Sequence, residues 1–359
     1  MGRKTAMAVD PQVRAFYEAK LNNNGSNNKS SSNKSSSNKS SSNNSGSSNS
    51  DSGSLRSAEP SDEEQQQKDL ELVAALRKNA DRAYNDISQY PEVFETMDID
   101  IPCIWGSLPV RVYKPGDKEK YPVLVYYHGG GFIIHNIASH DSLCRKLCLE
   151  CNAVVVSVGY RLAPEAKWTE MFEDCYGALE WVRDNAGGFC GDPERLAVGG
   201  DSAGAMLSAS VALYARDRRG PGIGLQILAY GTACDLGEDE SASMRELIDN
   251  NYVLNREFLA LCYRCAGQND DLKDNIYVYP GKCRDLTGMP KTLSLNAEYD
   301  PLRDDGEEYA RRLKAAGNDV VSWRVPGMMH GFLLLWDKFD MSEHVIRETG
   351  KFFRETFSC

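Results

Sequence analysis

Two glycine-flanked segments carry the residues best suited to chemistry. Gly200-Asp-Ser-Ala-Gly204 follows the apolar run Leu196-Ala-Val-Gly199 and precedes a helix-forming stretch, Ala203–Arg216. Glycine at both flanks permits the sharp strand-to-helix turn that holds a serine, here Ser202, exposed above a sheet, where its hydroxyl can serve as a nucleophile. His128-Gly-Gly-Gly131 closes a second apolar run, Val123–Tyr127. Three consecutive glycines leave backbone N–H groups unobstructed, as a loop facing a developing oxyanion requires. Their spacing is not that of a phosphate-binding loop, neither GxGxxG nor GxxxxGK followed by Ser or Thr.

A serine nucleophile needs a base and a carboxylate to orient it. Chain order Ser, acid, His restricts the base to His330 or His344, the two histidines after Ser202. His344 follows Ser342-Glu343 in an amphipathic stretch and reads as a surface residue. His330 lies in Pro326-Gly-Met-Met-His-Gly-Phe332, a glycine-flanked loop after the strand-like run Val320–Val325. The acid is read as Asp300, in Ala297-Glu-Tyr-Asp-Pro301 after the run Leu293–Asn296. Its competitors Asp304 and Asp305 read as first-turn helix residues favoured by the helix dipole, and Glu298 stands nearer the strand.

These side chains need a scaffold, and hydrophobic periodicity supplies one. Strand-like runs at Val93–Ile99, Val110–Tyr113, Val123–Tyr127, Ala153–Val158, Leu196–Gly199, Gln226–Ala229, Leu293–Asn296 and Val320–Val325 alternate with helical stretches at about Ser142–Glu150, Glu170–Ala186, Ala203–Arg216, Asp304–Ala316 and Ser342–Phe357. Alternation of apolar strands with helices predicts a mainly parallel sheet covered on both faces, with chemistry at the carboxyl ends of the strands. Residues 237–283 break the rhythm, being acidic, mostly helical in pattern and free of clear strands. Two further helices are predicted at 8–20 and 61–85, the second opening on the capping box Ser61-Asp-Glu-Glu64. Between them, residues 22–54 are almost entirely Asn, Ser, Gly and Lys, with three tandem copies of Lys-Ser-Ser-Ser-Asn. Such a tract has no apolar surface to offset ordering entropy and reads as a disordered linker.

The chain has 359 residues, 41 Lys+Arg against 52 Asp+Glu, and a formal charge of −11. That balance argues against non-specific nucleic-acid binding, which needs excess cations. No apolar run approaches the roughly 20 residues of a membrane span, and the first residues lack a signal-peptide core, so a cytoplasmic location is expected. Eleven Cys, an odd number, fit a reducing compartment. Cys144, Cys148 and Cys151 fall at i, i+4, i+7, the buried stripe of a helix, and Cys262 with Cys265 reads the same way. Zinc is not indicated, because neither group has a second CxxC or a His pair at ligand spacing.

Five motifs together, His128-Gly-Gly-Gly-Phe132, Tyr160-Arg-Leu-Ala-Pro-Glu165, Gly200-Asp-Ser-Ala-Gly204, Asp300-Pro-Leu-Arg-Asp-Asp305 and Pro326-Gly-Met-Met-His-Gly-Phe332, make the chain resemble the hormone-sensitive-lipase family of α/β-hydrolases, in its bacterial-type carboxylesterase branch. The resemblance covers roughly residues 85–359, with a weaker echo at Asp10-Pro-Gln-Val-Arg14. It implies the α/β-hydrolase fold, a mostly parallel eight-stranded sheet with helices on both faces and a helical cap. The organisation it implies is an N-terminal cap segment at 1–21, the linker at 22–54, a cap helix at 55–85, and a catalytic domain at 86–359 carrying a cap insertion at 237–283. Ser202 would be the nucleophile, His330 the base and then the acid, and Asp300 the orienter. Gly129, Gly130 and Ala203 would supply oxyanion-hole N–H groups, and His128 would support the loop. The implied activity is hydrolysis of short- to medium-chain carboxylic esters through an acyl-enzyme, with a small-molecule ester as substrate, a homodimer as the candidate assembly, and neither metal nor cofactor. Lipase, arylesterase and deacetylase activities are alternatives within the fold, and a non-catalytic small-molecule receptor is the alternative outside it. Family members are often dimers joined through the last strand. Ala205 departs from the family in replacing the common Gly after the elbow, and the Asn/Ser tract interrupts the N-terminal cap.

Overall fold

The computed structural model describes residues 9–27, 62–83, 90–231, 233, 240–250, 253–267 and 272–359. The strands are β1 (Glu95–Cys103), β2 (Gly106–Lys114), β3 (Tyr121–Tyr127), β4 (Val154–Val158), β5 (Gly191–Asp201), β6 (Ile223–Ala229), β7 (Lys291–Tyr299) and β8 (Val320–Met329). They form one sheet in the order β1-β2-β4-β3-β5-β6-β7-β8. β1 and β2 pair antiparallel, as do β2 and β4, and every later pair is parallel.

Burial along the strands follows from this order. β3 and β4, in the middle, are buried at every position, as a parallel strand covered on both faces must be. β1, at the antiparallel edge, is largely exposed and buries Ile101 alone. The β1–β2 hairpin is longer than the sequence predicts. Its residues Ile101–Ser107 carry Pro102 and Gly106 and a sparse apolar pattern, so cross-strand pairing rather than periodicity defines them.

Helices α3 (Asp141–Cys151) and α9 (Asp340–Phe357) cover one face. There Leu143, Cys148, Val345 and Phe353 pack with Leu124, Val155 and Ala197 of the strands. Helices α4 (Trp168–Asn185), α5 (Ala203–Arg218) and α8 (Arg303–Ala315) cover the other, where Leu179, Met206 and Leu313 join Val123, Val125 and Tyr127. Neighbouring residues of β3 thus serve opposite cores, the period of two expected of a strand. The Cys144, Cys148 and Cys151 stripe is fully buried on α3, and burial pushes the Cys148 thiol up to about 12.

Among the described residues, four helices stand outside this two-layer arrangement: α1 (Pro11–Asn27), α2 (Asp62–Ala83), α6 (Ala242–Leu247) and α7 (Arg256–Ala266). α1 runs seven residues beyond the end its composition suggests; once nucleated, a helix adds one hydrogen bond per residue ordered, which carries it into weak formers. Residues 28–54 of the tract lie outside the described residues. α7 opens on Asn255, whose side chain accepts from the Phe258 N–H at 2.8 Å.

Candidate active site

The site lies above the carboxyl ends of β3, β5, β7 and β8. Ser202 occupies the single residue between β5 and α5, with φ 52° and ψ −120°, a positive-φ conformation a serine rarely adopts. Its backbone N–H donates to the Ala229 carbonyl of β6 at 2.8 Å, so the neighbouring strand holds the turn. Gly204 supplies the close approach behind it, since a Cβ there would collide with the Tyr127 carbonyl.

His330 follows β8 directly and faces Ser202. Its Nε2 lies 2.9 Å from Ser202 Oγ, and its Nδ1 lies 2.8 Å from Asp300 Oδ2. A carboxylate only accepts, so Nδ1 carries the proton and Nε2 presents its lone pair to the serine hydroxyl. Asp300 is fully buried, and its other oxygen accepts from the Leu302 N–H at 2.9 Å. The competing carboxylates are engaged elsewhere. Asp304 accepts from Ser243 N–H at 2.7 Å, Asp305 from Ser241 Oγ at 2.9 Å, and Glu298 from Gly327 N–H at 2.8 Å. His344 lies on α9 against Trp323, away from Ser202. Ser202, His330 and Asp300 are therefore brought together, and none of the competitors is.

Of the three expected oxyanion donors, one has its N–H engaged within the protein. The Gly129 N–H donates to Asp201 Oδ1 at 3.0 Å and so is not free to meet a substrate. Glycine is required there because a Cβ would stand 2.5 Å from Asp201 Oδ2. Gly130, at φ 115°, then reverses the chain, a conformation only glycine adopts without strain. Gly130 and Gly131 line the cleft beside Ser202, and their N–H groups have no backbone acceptor among the described residues. Ala203 is the first residue of α5, so its N–H lacks an intrahelical partner by helix geometry. The available donors are accordingly Gly130, Gly131 and Ala203.

Asp201, inside the serine motif, is the residue the sequence left without a role. It is buried, and it gathers the Tyr126 hydroxyl at 2.8 Å, the Gly129 N–H and His140 Nε2 at 3.1 Å. Burial alone would raise its carboxyl, but His140 and the Tyr126 hydrogen bond outweigh it and hold Asp201 well below the usual carboxylate range. His128 flanks the same loop. Its ring stacks on Tyr160 at 4.3 Å, Nδ1–H donates to the Gly129 carbonyl at 2.7 Å, and Tyr160 Oη donates to the His128 carbonyl at 2.7 Å. Burial, with His140 nearby, pushes the His128 imidazole down to about 3, so it is neutral at physiological pH.

Above Ser202 opens a cleft of about 490 Å³. Its walls are Tyr17 of α1, Leu72 and Leu76 of α2, Phe258 and Leu261 of α7, and Leu334 and Leu335 after His330. These wall residues come from segments far apart in sequence, so no local pattern announces them.

A serine, an imidazole and a buried carboxylate in line, on a strand-to-helix elbow of a mostly parallel sheet, define an α/β-hydrolase site. The chain belongs to the α/β-hydrolase-fold family, whose model matches residues 124–334, and within it to the hormone-sensitive-lipase-like branch. It is 40% identical over 232 residues to the carboxylesterase NlhH of Mycobacterium tuberculosis, covering 63% of this chain and 72% of that protein. It is 36% identical over 244 residues to an arylesterase of Saccharolobus solfataricus, covering 67% and 78%. Among solved structures, an ester hydrolase from the metagenome of Lake Arreo, complexed with a derivative of bipyridine phosphonate, aligns with TM-score 0.81 at 30% identity over 98% of this chain and 100% of that one. A hyperthermophilic esterase from Pyrobaculum calidifontis aligns with TM-score 0.76 at 35% identity, over 82% and 98%.

Proposed function

We propose that this protein is a serine carboxylesterase acting on short- to medium-chain esters. The observation that carries the reading is the hydrogen-bonded line Ser202–His330–Asp300 opening into an apolar cleft of about 490 Å³. His330 Nε2 takes the Ser202 proton as Oγ attacks the ester carbonyl, and the N–H groups of Gly130, Gly131 and Ala203 receive the oxyanion. The same Nε2–H then passes to the leaving alcohol, giving an acyl-enzyme. Water, deprotonated by His330, attacks the acyl carbon and releases the carboxylic acid and free Ser202. Asp300 keeps the imidazole in the tautomer both half-reactions use.

The helices α1, α2, α6 and α7 act as the cap over this cleft, a reading supported by Tyr17, Leu72, Leu76 and Phe258 in its walls. Their bounded apolar surface favours acyl chains of modest length. No helix among the described residues is long and apolar enough to cross a membrane, and we place the enzyme in the cytoplasm on its odd count of eleven cysteines, which fits a reducing compartment. A homodimer through the edge strand β8, where Val321 is exposed, completes the reading.

The test is hydrolysis of p-nitrophenyl esters from two to sixteen carbons by wild type and Ser202→Ala. Turnover confined to short and medium chains, and reduced by about 10⁴-fold or more in the variant, is the expected result. Turnover retained by Ser202→Ala overturns the nucleophile. Turnover rising toward the longest chains replaces the carboxylesterase with a lipase.

A further inference from the structure

Among the described residues, one side chain of helix α2 hydrogen-bonds to the loop beside Ser202. Arg77 Nε donates to the Ile133 carbonyl at 2.8 Å, and Nη2 donates to the Ala163 carbonyl at 2.8 Å. Nη1 and Nη2 also clasp the Glu165 carboxylate at 2.7 and 2.8 Å. The two carbonyls belong to segments already tied to each other and to the oxyanion glycines. Ala163 N–H donates to Phe132 O at 2.8 Å, while the N–H groups of Ile133 and Ile134 both donate to Gly130 O at 3.1 and 3.0 Å. Gly130, Ile133 and Arg77 thus form a continuous hydrogen-bonded path from the oxyanion loop to α2.

The contacts of this guanidinium differ in weight. The Glu165 side chain is 63% exposed, so the ion pair in itself is worth little. Charge-assisted bonds to two backbone carbonyls from one rigid fork are different, because they fix the direction of the chain at Ile133 and Ala163 together. A lysine, with a single compact ammonium, cannot reproduce that fork. The loop has a second restraint on the same side, since Phe258 and Cys262 of α7 pack against Gly131. α7 is itself bound to α2 through Arg264, whose guanidinium holds the Asp69 carboxylate at 2.8 and 2.9 Å.

We propose that Arg77 is a positioning residue for catalysis: from α2 it fixes the Gly130–Ile134 turn so that the Gly130 and Gly131 N–H groups point at the oxyanion formed on Ser202. Resting on the esterase reading, this makes the segment preceding the catalytic domain a contributor to the chemical step as well as a wall of the cleft.

Kinetics on p-nitrophenyl butyrate test it, with wild type, Arg77→Met, Arg77→Lys and Glu165→Gln as full-length chains. Inhibition by a trifluoromethyl ketone, which adds to Ser202 as an oxyanion, is measured beside inhibition by its methyl ketone, which binds without addition. Arg77→Met is expected to lower kcat about 10- to 100-fold with KM within about twofold, the scale of a misplaced catalytic group. Its trifluoromethyl ketone affinity falls by the same factor as kcat/KM, and its methyl ketone affinity holds. Arg77→Lys falls between Arg77→Met and wild type, and Glu165→Gln loses less than either. Unchanged kcat in Arg77→Met, or equal weakening of the two ketones, overturns the proposal. If Arg77→Met does not fold, Arg77→Lys decides: reduced kcat at an unchanged melting temperature supports the role, and wild-type kcat refutes it. An active wild type matched by Arg77→Met defeats this inference alone, whereas a wild type inert toward every ester defeats the esterase reading and this inference with it.

Discussion

Asp300 and Asp201 are both buried carboxylates beside the Ser202 elbow, and they are satisfied in different ways. Asp300 accepts from His330 Nδ1 at 2.8 Å and from its own local backbone, so its charge sets the tautomer of one side chain. Asp201 accepts from Gly129 N–H, His140 and Tyr126, so its charge sets the path of a loop. In the proposed mechanism one serves the base and the other serves the oxyanion. The contrast is between orienting a group that moves a proton and orienting amides that never change their bonding partners' chemistry.

Replacing each carboxylate by its amide separates the two. Asp300→Asn keeps the shape but presents an N–H that favours the wrong imidazole tautomer, leaving Nε2 protonated and unable to accept from Ser202. A loss of about 10⁴-fold in kcat is expected, with KM little changed and no large change in melting temperature. Steady-state kinetics check it, and a loss under tenfold would remove Asp300 from its role.

Asp201→Asn is expected to do less to the chemistry. An amide oxygen still accepts from Gly129, but the attraction to His140 is gone and the loop loosens. About 10- to 100-fold in kcat is expected to go, accompanied by a lower melting temperature that Asp300→Asn does not show. Equal kinetic losses in the two variants would erase the distinction between base-side and oxyanion-side carboxylates.

The same contrast explains what the sequence made legible. Ser202, His330 and Asp300 have roles set by side-chain type, and each sits where a strand ends and glycine or proline punctuates, so motif and chain order singled them out. The inner strands were equally visible, because buried parallel strands read as apolar runs, whereas the exposed antiparallel β1–β2 hairpin was legible only in part. The oxyanion donors are backbone groups, and any of three adjacent glycines satisfies the pattern. What decides between Gly129 and Gly131 is Asp201 lying beneath the first of them, a contact spanning 72 residues. Arg77 is more remote still from a local signal, 56 residues from the carbonyl it grips. The cleft walls at Tyr17, Leu72 and Phe258 depend on how separate helices pack over the sheet, which periodicity within one helix does not encode.

Acid unfolding offers a milder way to divide the oxyanion side from the base side. His128 is buried under the loop, and burial holds its imidazole down to about 3. In the unfolded chain an imidazole titrates near 6.5. Between these values the unfolded state binds a proton that the folded state does not, so stability rises with pH across the window. His128's contribution is complete above about 6.5 and is lost progressively as pH falls toward 3. At pH 5 the loss from this group is about 2 kcal/mol. Asp201 acts in a separate window: its folded carboxyl is lowered, so its contribution is present above the unfolded value of about 3.9 and disappears only below it. Urea unfolding of wild type and His128→Asn at pH 7.5 and pH 5.0 isolates the imidazole, because the other titrating groups are common to both. Wild type is expected to lose about 2 kcal/mol more than the variant between the two pH values. Equal losses would mean that His128 titrates alike folded and unfolded, and that the loop it supports tolerates a charge which its buried position against Tyr160 and His140 opposes.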